Sequence, residues 1–451
     1  MSAIAIDVGA RHVRVARVGA HGAAELVDLP GTVAGEGLPV AAESGGAHRT
    51  IALRTAYGAY RDAYGVPGKV VLCVPQQDRA EHARRAADTL TALHATGGAP
   101  QFRALSTPHA VLALLRHTGA LPDGWYAVCD LAATEVRVAV CAVSPTAVAV
   151  TGDARRAPAD GYGAGFDAAL LRAAGLPAEE AGLRELAAAR AVEGAALRLD
   201  LTLARAGAHP DRYDDIAVHQ VDGREISAGA VRRALARLTA DLDQAAAEAL
   251  DKASGASADG RPAALSAVAV GGSARLLPLV RHLTERQGPP VALPAGVDPA
   301  LAAVFGAALV AAGRIDPADR YPYAVCVGAH RTVAGRPRDE ELLLSPPGAL
   351  EPGGATVYAE ADGRRVRLRT GPEGSADGRP VRVRVRDAEN RRTAQVRSLL
   401  IPGAAEGDRF HVGVRVAVDG TARLVLRPLG AGAPSEIPLG SLPTDLKEVR
   451  S

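Results

Sequence analysis

Two aspartates stand in matching surroundings. Asp7 closes the apolar run of residues 3–8 and is followed by Gly9-Ala10-Arg11 and the alternating stretch 12–18. Asp130 closes the run 126–131 and is followed by Ala132-Ala133-Thr134-Glu135 and an apolar stretch ending at Val143. A carboxylate at the end of a hydrophobic strand, small residues in the turn and a second strand behind it form the grammar of a duplicated phosphate-gripping hairpin. In such a hairpin, small residues let backbone N–H groups approach an anion closely. The plainer reading is a strand-end acid that caps a turn. A third element, Gly271-Gly272-Ser273-Ala274-Arg275, joins an apolar strand to a helix. It reads either as a turn able to pack against a ligand or as an ordinary structural turn.

Elements must hold these groups, and their order is α/β alternation. Residues 53–64 carry helical spacing, 69–75 read as a buried strand, and 78–93 as a helix capped by Asp78 with Ala83, Ala86, Leu90 and Leu93 on one face. A strand at 101–105 and a helix at 108–117 lead into the 126–143 hairpin. A strand at 147–152, the Gly-rich turn 161–165 and a helix at 166–174 follow. Residues 178–199 read as one long Ala/Leu-rich helix. Strands near 214–220 precede a helix capped by Ser227 and reaching Ser254, with Val231, Leu235, Leu238, Leu242 and Leu250 aligned. The polar loop 254–262, the strand 265–270 and helices at 276–286 and 300–312 complete this part; Asp298-Pro299 starts the last helix.

The character changes at residues 313–321. Beyond them the chain shows period-two alternation with close turn signals, giving strands at 323–330, 340–345, 355–361, 364–370, 379–386, 393–401, 408–418 and 421–427. Asp362-Gly363 and Asp419-Gly420 are hairpin signals. Arg365, Arg367 and Arg369, and again Arg382, Arg384 and Arg386, alternate with apolar residues. These basic outer faces read as solvated surfaces that discourage edge pairing, with polyanion binding as the alternative. The expected domains are 1–313, α/β, with a reduced lobe around 19–50; a linker at 314–321; a β-rich, sandwich-like domain at 322–440; and a tail at 441–451.

Composition narrows the classes. With 451 residues and 48% hydrophobic content the chain supports more than one core. A formal net charge of +2, with both signs interspersed, gives no general case for nucleic acid or an anionic membrane, and a 3% aromatic content offers little base stacking. Nearly all cations are arginine, the lysines being Lys69, Lys252 and Lys447. An arginine-rich coding bias therefore weighs against giving any single guanidinium a role. Cys73, Cys129, Cys141 and Cys326 are too widely spaced for a metal knot or disulfide framework and are expected as buried thiols. No apolar run reaches the roughly 20 residues a membrane span needs. A cytoplasmic protein is the expectation.

In this order the motifs resemble the Hsp70 chaperone family over nearly the whole chain. Asp7-Val8-Gly9 looks like its first phosphate loop and Asp130-Leu131 like its second. Thr107-Pro108-His109-Ala110 stands where its connecting helix begins. Thr151-Gly152-Asp153 with residues 161–167 is similar to its glycine-rich run, and residues 271–275 to its adenosine turn. Asp298-Pro299 with Val304-Phe305-Gly306-Ala307-Ala308 is similar to its closing helix. Past the linker, residues 342–354 and Ala361-Asp362-Gly363, then Leu400-Ile401-Pro402-Gly403 through Leu426, follow its β-rich substrate-binding domain. The family's helical lid has no counterpart after Gly440.

The resemblance implies an actin-like ATPase fold with duplicated βα lobes, binding ATP or ADP with Mg²⁺, coupled through the linker to capture of unfolded or extended polypeptide. It places Asp7 and Asp130 on the metal through water. It places Asp7, Gly9, Arg11, Asp130, Glu193, Gly271, Gly272, Ser273 and Arg275 on the nucleotide, and Leu342, Leu343, Leu344, Leu399, Leu400 and Ile401 on the peptide. Those leucines also read as plain core.

Several residues depart from the family. Its threonines after the first loop are Ala10 and Arg11, and Arg11 reads equally as a phosphate fork or a surface residue. Its glycine triplet is Ala132-Ala133-Thr134 and the next threonine is Glu135, whose carboxylate would repel a γ-phosphate. The glutamate of the connecting helix is Thr107, the catalytic lysine's lobe is cut away, and Ala196, Asp200 and Ala300 replace polar ligand contacts. Hydrolysis is therefore expected to be weak or absent. The competing expectation is a catalytically inactive pseudo-ATPase that serves as a protein-interaction scaffold, with a specific protein as partner.

Overall fold

The computed structural model describes all residues except 1, 41–45, 78, 95–97, 99, 146, 193, 257–264, 334–335, 362, 371–378, 388–391, 402–405, 418–419, 431, 444–445 and 449–451. The chain is mixed α/β with several sheets. It divides into two compact units. The first is Met1–Gln77, Ser106–Ser144 and Val150–Pro317; the second is Asp78–Leu105, Pro145–Ala149 and Ala318–Ser451. The division at 317/318 falls inside the stretch read as a linker.

In the first unit, β1 (Ala3–Val8) pairs antiparallel with β2 (His12–Val18), which carries β3 (Ala24–Leu26) and β4 (Leu38–Pro39). After α1 (Gly46–Tyr64), β5 (Lys69–Val74) runs parallel to β1 on its other side. β1 and β5 are almost wholly apolar because each is flanked by strands or covered on its faces. The helix α2 (Arg79–Ala92) and, but for its last residue, the strand β6 (Gln101–Ser106) come next in the chain and belong to the second unit. Next come α3 (Thr107–His117), β7 (Gly124–Leu131), β8 (Val136–Val143) and β9 (Val148–Arg156).

Residues 178–199 are not one helix. The chain forms α4 (Gly163–Ala173), α5 (Glu180–Ala191) and α6 (Ala195–Ala208). The break lies at Gly194, whose φ of 73° is left-handed backbone that an Ala/Leu helix pattern does not announce. α7 (Pro210–Tyr213), β10 (Ala217–Val221) and β11 (Arg224–Ser227) precede α8 (Ala228–Ala256). Ser227 Oγ accepts from the Ala230 N–H at 3.3 Å, as its N-cap reading expects. α8 lays Val231, Leu235, Leu238, Leu242, Ala246, Ala249 and Ala253 against the core around β7 and β8. β12 (Ser266–Val270) runs parallel to β7, giving the order β12-β7-β8-β9. A 3₁₀ turn at Gly272–Arg275 then leads to α9 (Leu277–Gln287), and α10 (Ala302–Ala311) closes the unit. α10 is apolar all round, and nine of its ten residues are buried, which makes it a core helix rather than a surface one.

In the second unit, two five-stranded sheets enclose one core. The first comprises β13 (Ala324–Val333), β14 (Arg336–Ser345), β19 (Arg379–Arg386) and β20 (Arg392–Ile401) with a late strand, β24 (Lys447–Glu448), in the order β14-β13-β19-β20-β24. The second joins β15 (Val357–Tyr358), β21 (Arg409–Val416), β22 (Thr421–Pro428) and β23 (Ser435–Ser441), with β18 (Arg367–Arg369) also on β21. β16 (Glu360–Ala361) and β17 (Arg364–Arg365) form a small separate hairpin. The residues after Gly440 take part in this fold: Leu442 and Leu446 are buried, and Lys447 pairs with Thr393.

Arg365, Arg367, Arg369, Arg382 and Arg384 are exposed over buried Val383 and Val385 and half-buried Leu368, as alternation predicts. Asp319, wholly buried, is gripped by Arg79 at 2.8 Å and by Arg103. Cys73, Cys129, Cys141 and Cys326 are free, buried thiols. Asp78, Asp362, Asp419, Pro402 and Gly403 lie outside the described residues, as does most of the loop 254–262. No helix among the described residues is long and apolar enough to cross a membrane.

Candidate functional site: a guanidinium-lined cleft

The β1–β2 and β7–β8 hairpins are built alike. Asp7 stands opposite Arg14 and Asp130 opposite Arg137, the same seven-residue separation. Their turns close in the same way, with Gly9 N–H donating to the His12 carbonyl at 3.0 Å and Ala132 N–H to that of Glu135 at 3.1 Å. Cross-strand neighbours bring each guanidinium to its carboxylate: Arg14 Nη1 lies 3.4 Å from Asp7 and Arg137 Nη1 lies 3.5 Å from Asp130. Each hairpin adds a further acid. Arg14 is 3.7 Å from Glu36, and Arg137 pairs closely with Glu135, which Arg49 approaches at 3.9 Å.

Burial controls the charges on this floor. It pushes the Asp7 carboxyl above its ordinary value, against the pull of Arg14. It pushes Asp130 up to about 6, opposed by Arg137 and reinforced by Asp7 and Glu135. His12 is lowered, chiefly by burial, although Glu36 works the other way.

A cleft of about 1210 Å³ opens over both hairpins. Asp7, Gly9, Arg11, Asp130, Gly271, Gly272, Ser273 and Arg275 all line it, so the structure brings together every described residue the sequence reading assigned to nucleotide. Glu193 lies outside the described residues. Gly271 is required where it stands: its φ is +89°, and a Cβ there would fall 2.6 Å from the Leu131 carbonyl and 2.8 Å from Asp130 Oδ1. Thr107 also lines the cleft, its hydroxyl donating to the Val74 carbonyl at 3.3 Å.

The groups that could hold phosphate are occupied from within. Arg11 donates to Asp167 at 3.1 Å. Arg275 spans Glu36 at 2.6 Å and Asp298 at 2.8 Å. The first N–H groups of α4, from Gly163 and Ala164, donate to the Ala132 and Ala133 carbonyls of the second hairpin at 3.3 and 2.8 Å. A helix N-terminus that would otherwise meet an anion is thus spent on the turn. Seven guanidiniums line the cleft, but so do seven carboxylates, which leaves no excess positive field for a polyphosphate. Asp200 is paired with Arg281.

Asp7 and Asp130 do not fit the hydrated Mg²⁺ expected of them. A hard cation needs several oxygen donors, and each carboxylate here already carries a guanidinium where the cation's charge would sit. The described residues contain no group of three or more His, Cys, Asp or Glu side chains able to hold a metal ion.

Sequence reasoning missed Arg14, Arg49, Glu36, Arg137, Arg190 and His219. The first-hairpin and second-hairpin arginines had a signal, the repeated Asp-x₆-Arg spacing; the others are brought in by distant elements.

The peptide candidates divide. Leu344 and Ile401 belong to the core of the second unit, Leu342 is half-buried against it, and Leu343 and Leu400 are exposed by 37% and 47%. The side chain of Leu399 lies outside the described residues. No protein-family model matches the chain, and no curated protein matches it.

Proposed function

We propose that the chain is an Hsp70-like pseudo-ATPase: an actin-like, duplicated-lobe fold whose cleft is retained while phosphoryl transfer is lost, acting as a protein-interaction scaffold. One observation carries this reading. Both strand-end carboxylates, at equivalent positions of two hairpins, are neutralised by a cross-strand arginine instead of being left open to a cation. The topology supports the duplicated lobes, since each hairpin's first strand is joined on its other side by a parallel strand, β5 or β12. Glu135, 7% exposed on the cleft floor, adds a carboxylate where a γ-phosphate would need a donor.

Partner capture belongs to the second unit in this reading. Leu343 on β14 and Leu400 on β20 supply exposed apolar contacts, and among the described residues β14 ends its sheet, the place where an extended polypeptide would add a strand.

The test is a titration of the full chain with ATP, with and without Mg²⁺, following melting temperature and phosphate release together. The expected result is no phosphate release and no Mg²⁺-dependent change in melting temperature. Mg²⁺-dependent release of phosphate would overturn the reading in favour of an ATP-driven chaperone.

A further inference from the structure

Arg190, near the end of α5, and His219 of β10 both line the cleft, close enough for the Arg190 charge to act on the imidazole. Its Nη1 donates to Asp167 at 2.6 Å, and its guanidinium lies 5.1 Å from the Phe166 ring centroid, so two contacts hold its plane. The opposite edge, Nε and Nη2, is buried and has no hydrogen-bond partner. This is the edge other arginines of the chain use for carboxylates. Arg232 donates from Nε and Nη2 to Asp214 at 3.1 and 2.6 Å, and Arg415 likewise to Glu436 at 2.8 and 2.7 Å. Among the described residues, no other arginine leaves both of these nitrogens buried and unpaired.

His219 stands in the same condition. It is 7% exposed, and its Nε2 is buried without a partner. Burial and the Arg190 charge push it down to about 4, so at neutral pH it is an uncharged imidazole with one N–H to give. The charge count is also open. Arg11 and Arg190 share the single carboxylate of Asp167, which leaves one positive charge at this end of the cleft. Leu183, Ala187, Leu199 and Leu276 supply apolar wall in the same cleft.

We propose that Arg190 and His219 form an oxyanion subsite that takes a carboxylate or phosphate group of a small, otherwise apolar ligand without a metal ion. The Nε–Nη2 edge grips two oxygens side-on, His219 donates from Nε2, and the anion neutralises the charge that Asp167 leaves over. An unpaired buried donor is costly, and such a ligand supplies its missing bond. The site goes beyond the pseudo-ATPase reading and does not use either hairpin carboxylate.

The experiment titrates inorganic phosphate and, separately, acetate into the full chain at constant ionic strength without Mg²⁺, reading the melting temperature. Wild type is expected to show saturable stabilisation. Arg190→Lys keeps the charge but loses the side-on fork, so its apparent affinity should fall by roughly tenfold, as loss of a charge-assisted bidentate contact implies. Arg232→Lys, altered at an edge already filled by Asp214, should bind as wild type does. Tighter saturation by phosphate assigns a phosphate ester, and tighter saturation by acetate assigns a carboxylate. No saturable response, or an equal response in all three proteins, overturns the subsite. Should Arg190→Lys fail to fold, His219→Phe must show the same direction of loss, and unchanged binding there also overturns it. Phosphate release from ATP in the earlier titration would sink the pseudo-ATPase reading while leaving this result standing, so the two failures are distinguishable.

Discussion

The two hairpins share a register and a turn, yet they hold their acids differently. In the first, Arg14 serves Asp7 and Glu36, whose side chains are 22% and 28% exposed, and Arg275 shares the load on Glu36. In the second, Arg137 serves Asp130 and Glu135, whose side chains are 17% and 10% exposed, and Arg49 approaches Glu135 at 3.9 Å. One backbone pattern thus supports a partly solvated ion pair and a more enclosed triad. The lesson is that burial and the count of acids per arginine, rather than the hairpin itself, decide how much each guanidinium matters.

The sharpest way to break this comparison is to remove the arginines in turn. Arg137→Met should cost about 3–5 kcal/mol, since deleting one partner strands buried opposite charge. Arg14→Met should cost less, about 1–3 kcal/mol, because water and Arg275 reach its acids. Urea unfolding at pH 7 measures both, and an equal loss would mean that the difference in enclosure is immaterial.

Acidification sharpens it next. Asp130 holds its proton more tightly folded than unfolded, its carboxyl standing at about 6 against an ordinary 3.8. Its contribution to stability is therefore full below pH 3.8 and is lost as pH rises through about 6. The amount is on the order of 2 kcal/mol, since the carboxyl is partly exposed. Asp130→Asn should flatten the stability profile between pH 4 and 6. Asp7→Asn should flatten it in the same sense. Melting temperature against pH for the two variants reads the difference, and an unaltered profile in Asp130→Asn would remove the burial account of that carboxyl.

The smallest effect is expected at the turns. Gly9→Ala copies the residue that the second hairpin tolerates at Ala132, but the new Cβ would meet the His12 carbonyl at 2.9 Å. The cost of shifting that backbone carbonyl outweighs the entropy gained by removing a glycine, so a net loss of about 1 kcal/mol is expected. A much larger loss of melting temperature would show that the turns are not equivalent.

Much of the architecture was legible. Apolar strands bounded by small residues located β1, β5, β7 and β12, and Ser227 marked the start of α8. The break between α5 and α6 was not legible, because Val192 and Gly194 interrupt an otherwise continuous alanine-rich periodicity and only the positive φ at Gly194 ends it. The last strands were also missed. Ile437 and Leu439 alternate, but Pro438 between them argues against a strand, and their burial depends on the rest of the second unit's core. Within the cleft, Asp7, Asp130 and the Gly271 turn were found by local motifs. Arg190 and His219 were not, since neither sits in a motif and α5 and β10 must pack before they become neighbours.

The sequence by itself determined the hairpins and their strand-end acids, because period-two alternation and small turn residues act over a few neighbours. It also carried the Asp-x₆-Arg spacing in both. Only the tertiary structure decided which carboxylate each guanidinium neutralises, which N–H groups of α4 are consumed, and which edge of Arg190 is left without a partner. Those outcomes depend on burial and on groups more than a hundred residues apart, such as Arg11 and Asp167, whose interaction exists only once water has been excluded from between the elements that carry them.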